Sequence, residues 1–287
     1  MPRKPGGSPK ARNLGAELRK VRDEAGINQR ALAQKMEIAR PRLQRWENGT
    51  TVPSVEDVAI YLAMCGLAKG PERERLLDLA RDVDAENWIT SDLPGTHSSL
   101  TTFIEFERTC TSMVNVAPLL IPGLLQTADY SRAVMAGLGS GEIEKRVMLR
   151  LGRQNILWRR RNPLRFTAVI VESALRERVG GPHVMADQLY NILDVAKRDN
   201  VSVHVIRSGG QRVHAAHAGP FIVFRFPKAP PIVHIEHYRS SVFLYNTREV
   251  ADYVRAEEDL RSMALSREDS LELVADIAAE MEKEADA

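Results

Sequence analysis

The run from Asn28 to Pro53, NQRALAQKMEIARPRLQRWENGTTVP, allows very few folds. Asn28 is a helix N-cap whose side chain can accept from the unsatisfied backbone N–H groups of the next turn. Gln29 to Lys35 follow as good helix formers, with Ala31 and Leu32 on the inner side. A second short helix begins near Ala39: Pro41 suits its first turn, Leu43 and Trp46 fall one turn apart on one face, and Gly49 supplies the stop. Its other face carries Arg40, Arg42, Gln44 and Arg45, side chains long enough to reach from a helix axis to base edges or phosphates. Two short helices meeting at a sharp angle, the second armed in this way, have the chemistry of a unit that reads duplex DNA. A plain solvated hairpin also carries charge on its wet face. Cap, turn and stop at this spacing favour the DNA-reading alternative.

On these residues the segment Leu14 to Leu67 resembles the phage-repressor (Cro/CI, Xre-type) helix-turn-helix domain. The resemblance rests on Leu18, Arg22 and Gly26, on Asn28, Gln29, Leu32 and Ala33, and on Leu43, Glu47, Asn48, Gly49 and Pro53. It implies that Gln29 opens the positioning helix at a phosphate, that Arg40 is the first base-contacting side chain, and that Arg42, Arg45 and Asn48 lie near bases or backbone. It also implies that Arg22 pairs with Glu47 beneath the recognition helix, with Leu43 and Trp46 as its core supports. Two positions depart from the family: Pro41 stands where a polar base reader is usual, and Trp46 replaces a smaller aliphatic residue. Direct readout is therefore expected from Arg40, Arg42 and Gln44 above all. One such helix contacts a half-site, so a homodimer on a pseudo-palindrome is expected.

Charge separates the chain into two parts. Residues 1 to 50 hold 12 Lys and Arg against 5 Asp and Glu, while the remainder holds 28 against 33, so a net +2 conceals a basic amino-terminal module. That is where a polyanion partner would be met. With 287 residues and 44% hydrophobic content, the chain can build two cores. It shows no apolar run long enough for a membrane span and no signal-peptide pattern. Cys65 and Cys110 stand far apart without a CxxC partner, and a cytoplasmic protein with two buried thiols is expected.

Taken in order, residues 1–11 are expected to be a disordered basic tail, 12–83 a five-helix helix-turn-helix domain, 84–99 a linker, and 100–287 a mixed α/β domain with a largely antiparallel sheet. Helix 1 is placed at Asn13 to Ala25 through Leu14, Leu18, Val21 and Ala25. Ser54 and Asp57 form a capping box ahead of a helix to Cys65 that buries Val58, Tyr61 and Leu62, and a fifth helix spans Pro71 to Asp82. Trp88 is read as a docking side chain within the linker. Thr101 to Val116 reads as strand or extended chain, with a weak helical period. A long helix is expected over Glu142 to Arg160, strands over Leu164 to Val171 and Val201 to Ile206, and helices over Glu172 to Arg178 and Val184 to Lys197. A three-strand meander through Phe221–Phe226, Ile232–His237 and Val242–Tyr245 precedes two terminal helices opened by Thr247 and Ser266.

The second part resembles the carboxy-terminal domain of actinomycete WhiJ-like, antitoxin-like transcriptional regulators. The residues that carry this are Ile121 to Thr127 (IPGLLQT) with Tyr130 and Arg132, then Arg150, Arg153, Gln154 and Leu157, then Glu172 to Leu175, Val179 to Gly181, Gln188 and Leu189, and Ala264 to Ser266. It implies a regulator, and with it a small partner protein encoded by a neighbouring gene. The rival function is an antitoxin-like module that sequesters such a partner and binds DNA for autoregulation. Pro122 and Gly123 form a turn that presents Leu124 and Leu125 at a helix start, with Gln126, Thr127 and Tyr130 beside them. These residues are either a packing turn in the core or the rim of a partner or ligand groove.

Enzymatic chemistry finds no foothold. No Gly-rich phosphate loop follows a strand, HExxH and GxSxG are absent, and Glu172 at a strand end suits a helix start. Five of the seven histidines lie between His204 and His237, including His214–x–x–His217 and His234–x–x–His237. In a strand the second pair points to opposite faces and no cysteine is near, so neither a metal nor any other cofactor is expected.

Overall fold

The computed structural model describes residues 9–81, 88–90, 97–138, 142–210, 212–227, 229–237 and 240–287. The chain divides into two compact units, residues 1–109 with 236–247 and residues 110–235 with 248–287. Among the described residues no helix is long and apolar enough to cross a membrane.

The first unit opens with α1 (Pro9–Glu24), α2 (Gln29–Lys35), α3 (Arg40–Glu47), α4 (Val55–Met64) and α5 (Pro71–Arg81). Local signals set most of these bounds. The Asn28 side chain accepts from the Ala31 N–H at 2.9 Å, Pro41 sits in the first turn of α3, and Ser54 and Asp57 complete a reciprocal capping box ahead of α4. Leu14, Leu18, Leu32, Leu43, Tyr61 and Leu76 meet in a core from which water is fully excluded. Of the tail expected over residues 1–11, residues 9–11 belong to α1 and Ala11 is buried in that core; residues 1–8 lie outside the described residues.

The region expected as linker holds β1 (Trp88–Thr90), while 84–87, 91–96 and the Trp88 side chain lie outside the described residues. Thr101 to Val116, expected as extended chain, is half helix: α6 (His97–Thr109) packs on α1, and only β2 (Ser112–Ala117) is strand. The weak helical period arises because α6 buries polar groups along with Phe106. Thr102 Oγ1 hydrogen-bonds Asn13 Oδ1, and Arg19 of α1 lies 3.6 Å from the Glu105 carboxylate.

In the second unit, β2 is followed by α7 (Ala128–Gly137), α8 (Ile143–Gln154), β3 (Arg165–Val171), α9 (Glu172–Arg176), α10 (Pro182–Val195), β4 (Val201–Ile206), β5 (Phe221–Arg225) and β6 (Ile232–Glu236). The strand order is β6-β5-β2-β3-β4. The first unit receives β7 (Ser241–Leu244), antiparallel to β1 with Trp88 opposite Phe243. Antiparallel ladders (β1 with β7, β2 with β5, β5 with β6) outnumber the parallel ones (β2 with β3, β3 with β4). The terminal helices α11 (Thr247–Met263) and α12 (Arg267–Ala285) return along the sheet. Their connection covers the open edge of β4, where Leu265 donates to the Val205 carbonyl and Val205 to Ser270 Oγ, each at 2.9 Å.

Candidate nucleic-acid interface

The recognition helix α3 is clamped from inside. Leu43 and Trp46 are buried, and Glu47 is 1% exposed. A carboxylate at that depth needs donors on both oxygens, and it has them. Arg22 donates through Nε to Oε1 at 2.7 Å and through Nη2 to Oε2 at 2.9 Å, Gln29 Nε2 donates to Oε2 at 2.7 Å, and the Tyr61 hydroxyl donates to Oε1 at 2.8 Å. Burial acts to raise the Glu47 carboxyl; the hydrogen bonds from Arg22, Gln29 and Tyr61 outweigh it and hold the group below the ordinary carboxylate range. The bond to Glu47 raises the Arg22 guanidinium in turn, and burial chiefly raises Tyr61. Four elements, α1, α2, α3 and α4, thus converge on one charge. Arg22 Nη1 also donates to the Ile27 carbonyl at 2.9 Å, which fixes the chain just ahead of Asn28.

The opposite face of α3 is open. Arg40, Pro41, Arg42, Gln44, Arg45 and Asn48 are all exposed. Among the described residues the side chains of Arg40, Gln44 and Arg45 make no hydrogen bond or ion pair. Arg42 is partly engaged, 3.3 Å from Asp57 Oδ2 and with its guanidinium 4.9 Å from the centroid of the Trp46 ring. Asn48 Oδ1 accepts from Arg19 Nη2 at 2.9 Å. Gln29, expected at a phosphate, is half-buried with its amide nitrogen on Glu47, so within the protein it belongs to the support of α3 as much as to its outer rim.

Three supports went unread in the sequence. The Tyr61 hydroxyl could have been sought, since a tyrosine on the inner stripe of α4 must find a partner. Arg19 stands three residues before Arg22 on the same face of α1 and donates to the Glu47 carbonyl at 2.9 Å. Gly15 lies where α1 crosses α3, and a Cβ there would press on the Trp46 and Glu47 carbonyls. No sequence signal marks that crossing.

The run from Ile121 to Tyr130 is a packing turn. Leu124 and Leu125 occupy a 3₁₀ turn rather than the start of a helix, α7 begins only after Thr127, and Leu124, Leu125, Gln126 and Tyr130 are all buried. Of the two alternatives for this run, their burial supports the packing turn. Gln126 donates to the Ile121 carbonyl at 2.7 Å and accepts from Arg150 Nη1 at 2.6 Å. Gln188 of α10 donates to the Leu125 carbonyl and accepts from the Thr127 N–H, each at 2.7 Å. An irregular buried turn must have its backbone groups satisfied by side chains, and this accounts physically for a polar Gln126 inside an apolar core.

Among the described residues no group of three or more His, Cys, Asp or Glu side chains is placed to hold a metal ion. His234 is buried in β6 while His237 lies beyond the strand end.

Residues 13–76 match the model of a helix-turn-helix domain. No curated protein matches the chain. Among solved structures, the archaeal chromatin protein TrmBL2, described as showing a novel mode of DNA binding, is 13% identical over 83% of this chain and 87% of that one. The TM-score is 0.30, a likeness too low to carry a shared fold or activity. Residues 100–276, more than half of the chain, match the family described as a domain of unknown function (DUF5753), and the protein belongs to that family.

Proposed function

We propose that the protein is a sequence-specific transcriptional regulator of the phage-repressor docking type. It places α3 in the major groove as a homodimer, with half-sites about one helical turn (~34–36 Å) apart. It acts in the cytoplasm without catalysis or a cofactor, and the second unit, of the WhiJ-like kind, serves sensing or partner binding. One observation carries the reading. Arg40, Gln44 and Arg45 project from a helix whose inner face is fixed by a buried ion pair, and among the described residues none of the three is engaged within the protein. Long unengaged side chains on a rigid helix suit base and phosphate contacts, since the fold orders the backbone that carries them before DNA arrives and only the side chains remain to be fixed.

The test is genomic-fragment selection followed by titration of the best fragment against random duplex. Arg40→Ala and Gln44→Ala are each expected to weaken the selected site by ~1–3 kcal/mol while leaving random duplex nearly unchanged. Loss in equal measure on both duplexes would make the residue a phosphate contact. No salt-sensitive preference for any fragment would end the regulator reading.

A further inference from the structure

The second unit contains a cleft of about 570 Å³. It lies outside the carboxyl ends of β2, β3 and β4. Pro118 and Leu119 follow β2, Ser173 follows β3, and Arg207 and Ser208 follow β4. The three strands are mutually parallel in the order β2-β3-β4, and the crevice beyond the carboxyl ends of parallel strands is where open α/β sheets hold small ligands. Arg212, His214, Ala216, His217 and Gly219, with Met263 at the end of α11, also line it.

Two kinds of group face this space. Leu119, Val171, Ile206, Ala216 and Met263 are apolar, and of these Leu119 is 65% and Met263 39% exposed. Arg207, Arg212, His214 and His217 are basic. Arg132, Arg176, Arg178 and Arg225 of the same unit each hold a carboxylate. Among the described residues Arg207 and Arg212 hold none by hydrogen bond or ion pair. Arg207 acts through space on Glu172, but that carboxylate is not part of the lining. It accepts from Arg176 Nε at 2.9 Å and from the Ser208 N–H at 3.1 Å. The imidazoles of His214 and His217 are 3.9 Å apart, and the buried Nδ1 of His214 has no hydrogen-bond partner among the described residues. Burial first, and the neighbouring His217 second, hold His214 below the ordinary histidine range. The cleft therefore combines an apolar lining with two arginines that no carboxylate holds by hydrogen bond or ion pair among the described residues, at a size suited to a small organic ligand.

We propose that this cleft binds a small organic anion, its phosphate or carboxylate group held by Arg207 and Arg212 and its apolar body seated against Leu119, Val171 and Met263. The inference gives a ligand class to the sensing half of the function proposed above and rests on that reading only for its regulatory consequence; binding itself is measured without DNA. Calorimetric titration of the full chain with 1-naphthyl phosphate, 1-naphthoate, 1-naphthol and inorganic phosphate separates the contributions. Naphthyl phosphate or naphthoate should bind at least about tenfold more tightly than naphthol or inorganic phosphate. The double variant Arg207→Gln/Arg212→Gln should lose about that factor with an unchanged melting temperature, since both side chains are exposed. Arg45→Gln on α3 should bind as the parent does. A bound anion should also raise the pH at which His214 titrates, followed by its imidazole resonances. Naphthol binding as tight as the anions, an unaffected double variant, a His214 titration that does not move, or no binding of either anion at ~10 mM would each overturn the site. A chain that takes the anion but prefers no DNA fragment would leave the site standing and remove the regulator; the reverse result would do the opposite.

Discussion

Glu47 is the residue on which the DNA-facing surface depends. Its side chain is fully buried and accepts from Arg22, Gln29 and Tyr61, while its backbone carbonyl accepts from Arg19. Replacing it by alanine leaves the Arg22 guanidinium buried without its counter-charge, while the Tyr61 hydroxyl keeps the Leu18 carbonyl at 2.9 Å; the loss is expected at ~3–5 kcal/mol, close to the lower end of a small domain's whole stability. Glu47→Gln keeps the shape and one carbonyl acceptor, so its expected loss is smaller and the folded unit survives for measurement. The pH dependence follows from the sign of the shift. The folded carboxyl lies below its ordinary value of 4.5, so its contribution is complete above that pH and is lost as pH falls from 4.5 through the folded value. Urea midpoints followed by the unfolding of the first unit should therefore decline below pH 4.5 in the parent and decline less in Glu47→Gln. Parallel declines in the two proteins would assign the acid sensitivity to other carboxylates. The Arg22–Glu47 pair could be expected from its place in a resembling motif. The hydroxyl of Tyr61 leaves a weaker sign: a tyrosine on the inner stripe of α4 must find a partner, but Val58, Tyr61 and Leu62 read as an apolar stripe that does not say which.

At the scale of elements, legibility follows the range of the signal. The start of α2 at Asn28, of α4 at Ser54 and the first turn of α3 at Pro41 are written within four residues of where they act, and they are where the residues place them. The helix α6 is different: its polar Thr102 and Glu107 are buried, so its period weakens just where packing on α1 makes it helical. The parallel set β2-β3-β4 has helices between its members in the sequence, yet register and neighbour order are long-range facts that no local pattern encodes. The crossing of α1 over α3 is of the same kind. An added Cβ at Gly15 would lie 2.8 Å from the Glu47 carbonyl oxygen and closer still to that of Trp46, both backbone atoms that yield only if a helix moves. Gly15→Ala should destabilise the first unit by ~1–3 kcal/mol through overpacking, against a helix-propensity gain of at most ~1 kcal/mol. Gly152, inside α8 and with nothing within 4 Å of an added Cβ, offers the contrast. Gly152→Ala should stabilise by ~0.5–1 kcal/mol. A melting temperature that rose in both variants would show that the α1–α3 approach is looser than its geometry indicates.

For the molecule as a whole, the domain boundary read from composition is the step that local patterns cannot supply. A chain expected to divide at 84–99 instead sends residues 236–247 back into the first unit, where β7 pairs with β1. Within that unit Phe106 of α6 meets Phe243 of β7 edge to face, with ring centroids 5.2 Å apart at 82°, and both rings are fully buried. A fragment ending at Thr109 keeps every helix of the first unit but lacks Phe243. It forgoes the burial of Phe106, worth ~1.5–3 kcal/mol, and an aromatic pairing of ~0.5–1.5 kcal/mol. Amide exchange in α6 should accordingly quicken in the fragment, while α2 and α3, whose core of Leu32, Leu43 and Tyr61 is complete without the returning strand, should be far less affected. Phe243→Ala in the full chain separates loss of the ring from loss of the strand, and it should reproduce most of the effect on α6. If α6 stayed as protected in both proteins as in the parent, the helix would be held by α1 alone. The amino-terminal module would then be continuous in sequence, as composition suggests. If α6 loosens and fragment-bound DNA contacts persist, the basic face of α3 is independent of the returning segment, and the excess positive charge of residues 1–50 suffices to bring the polyanion to it.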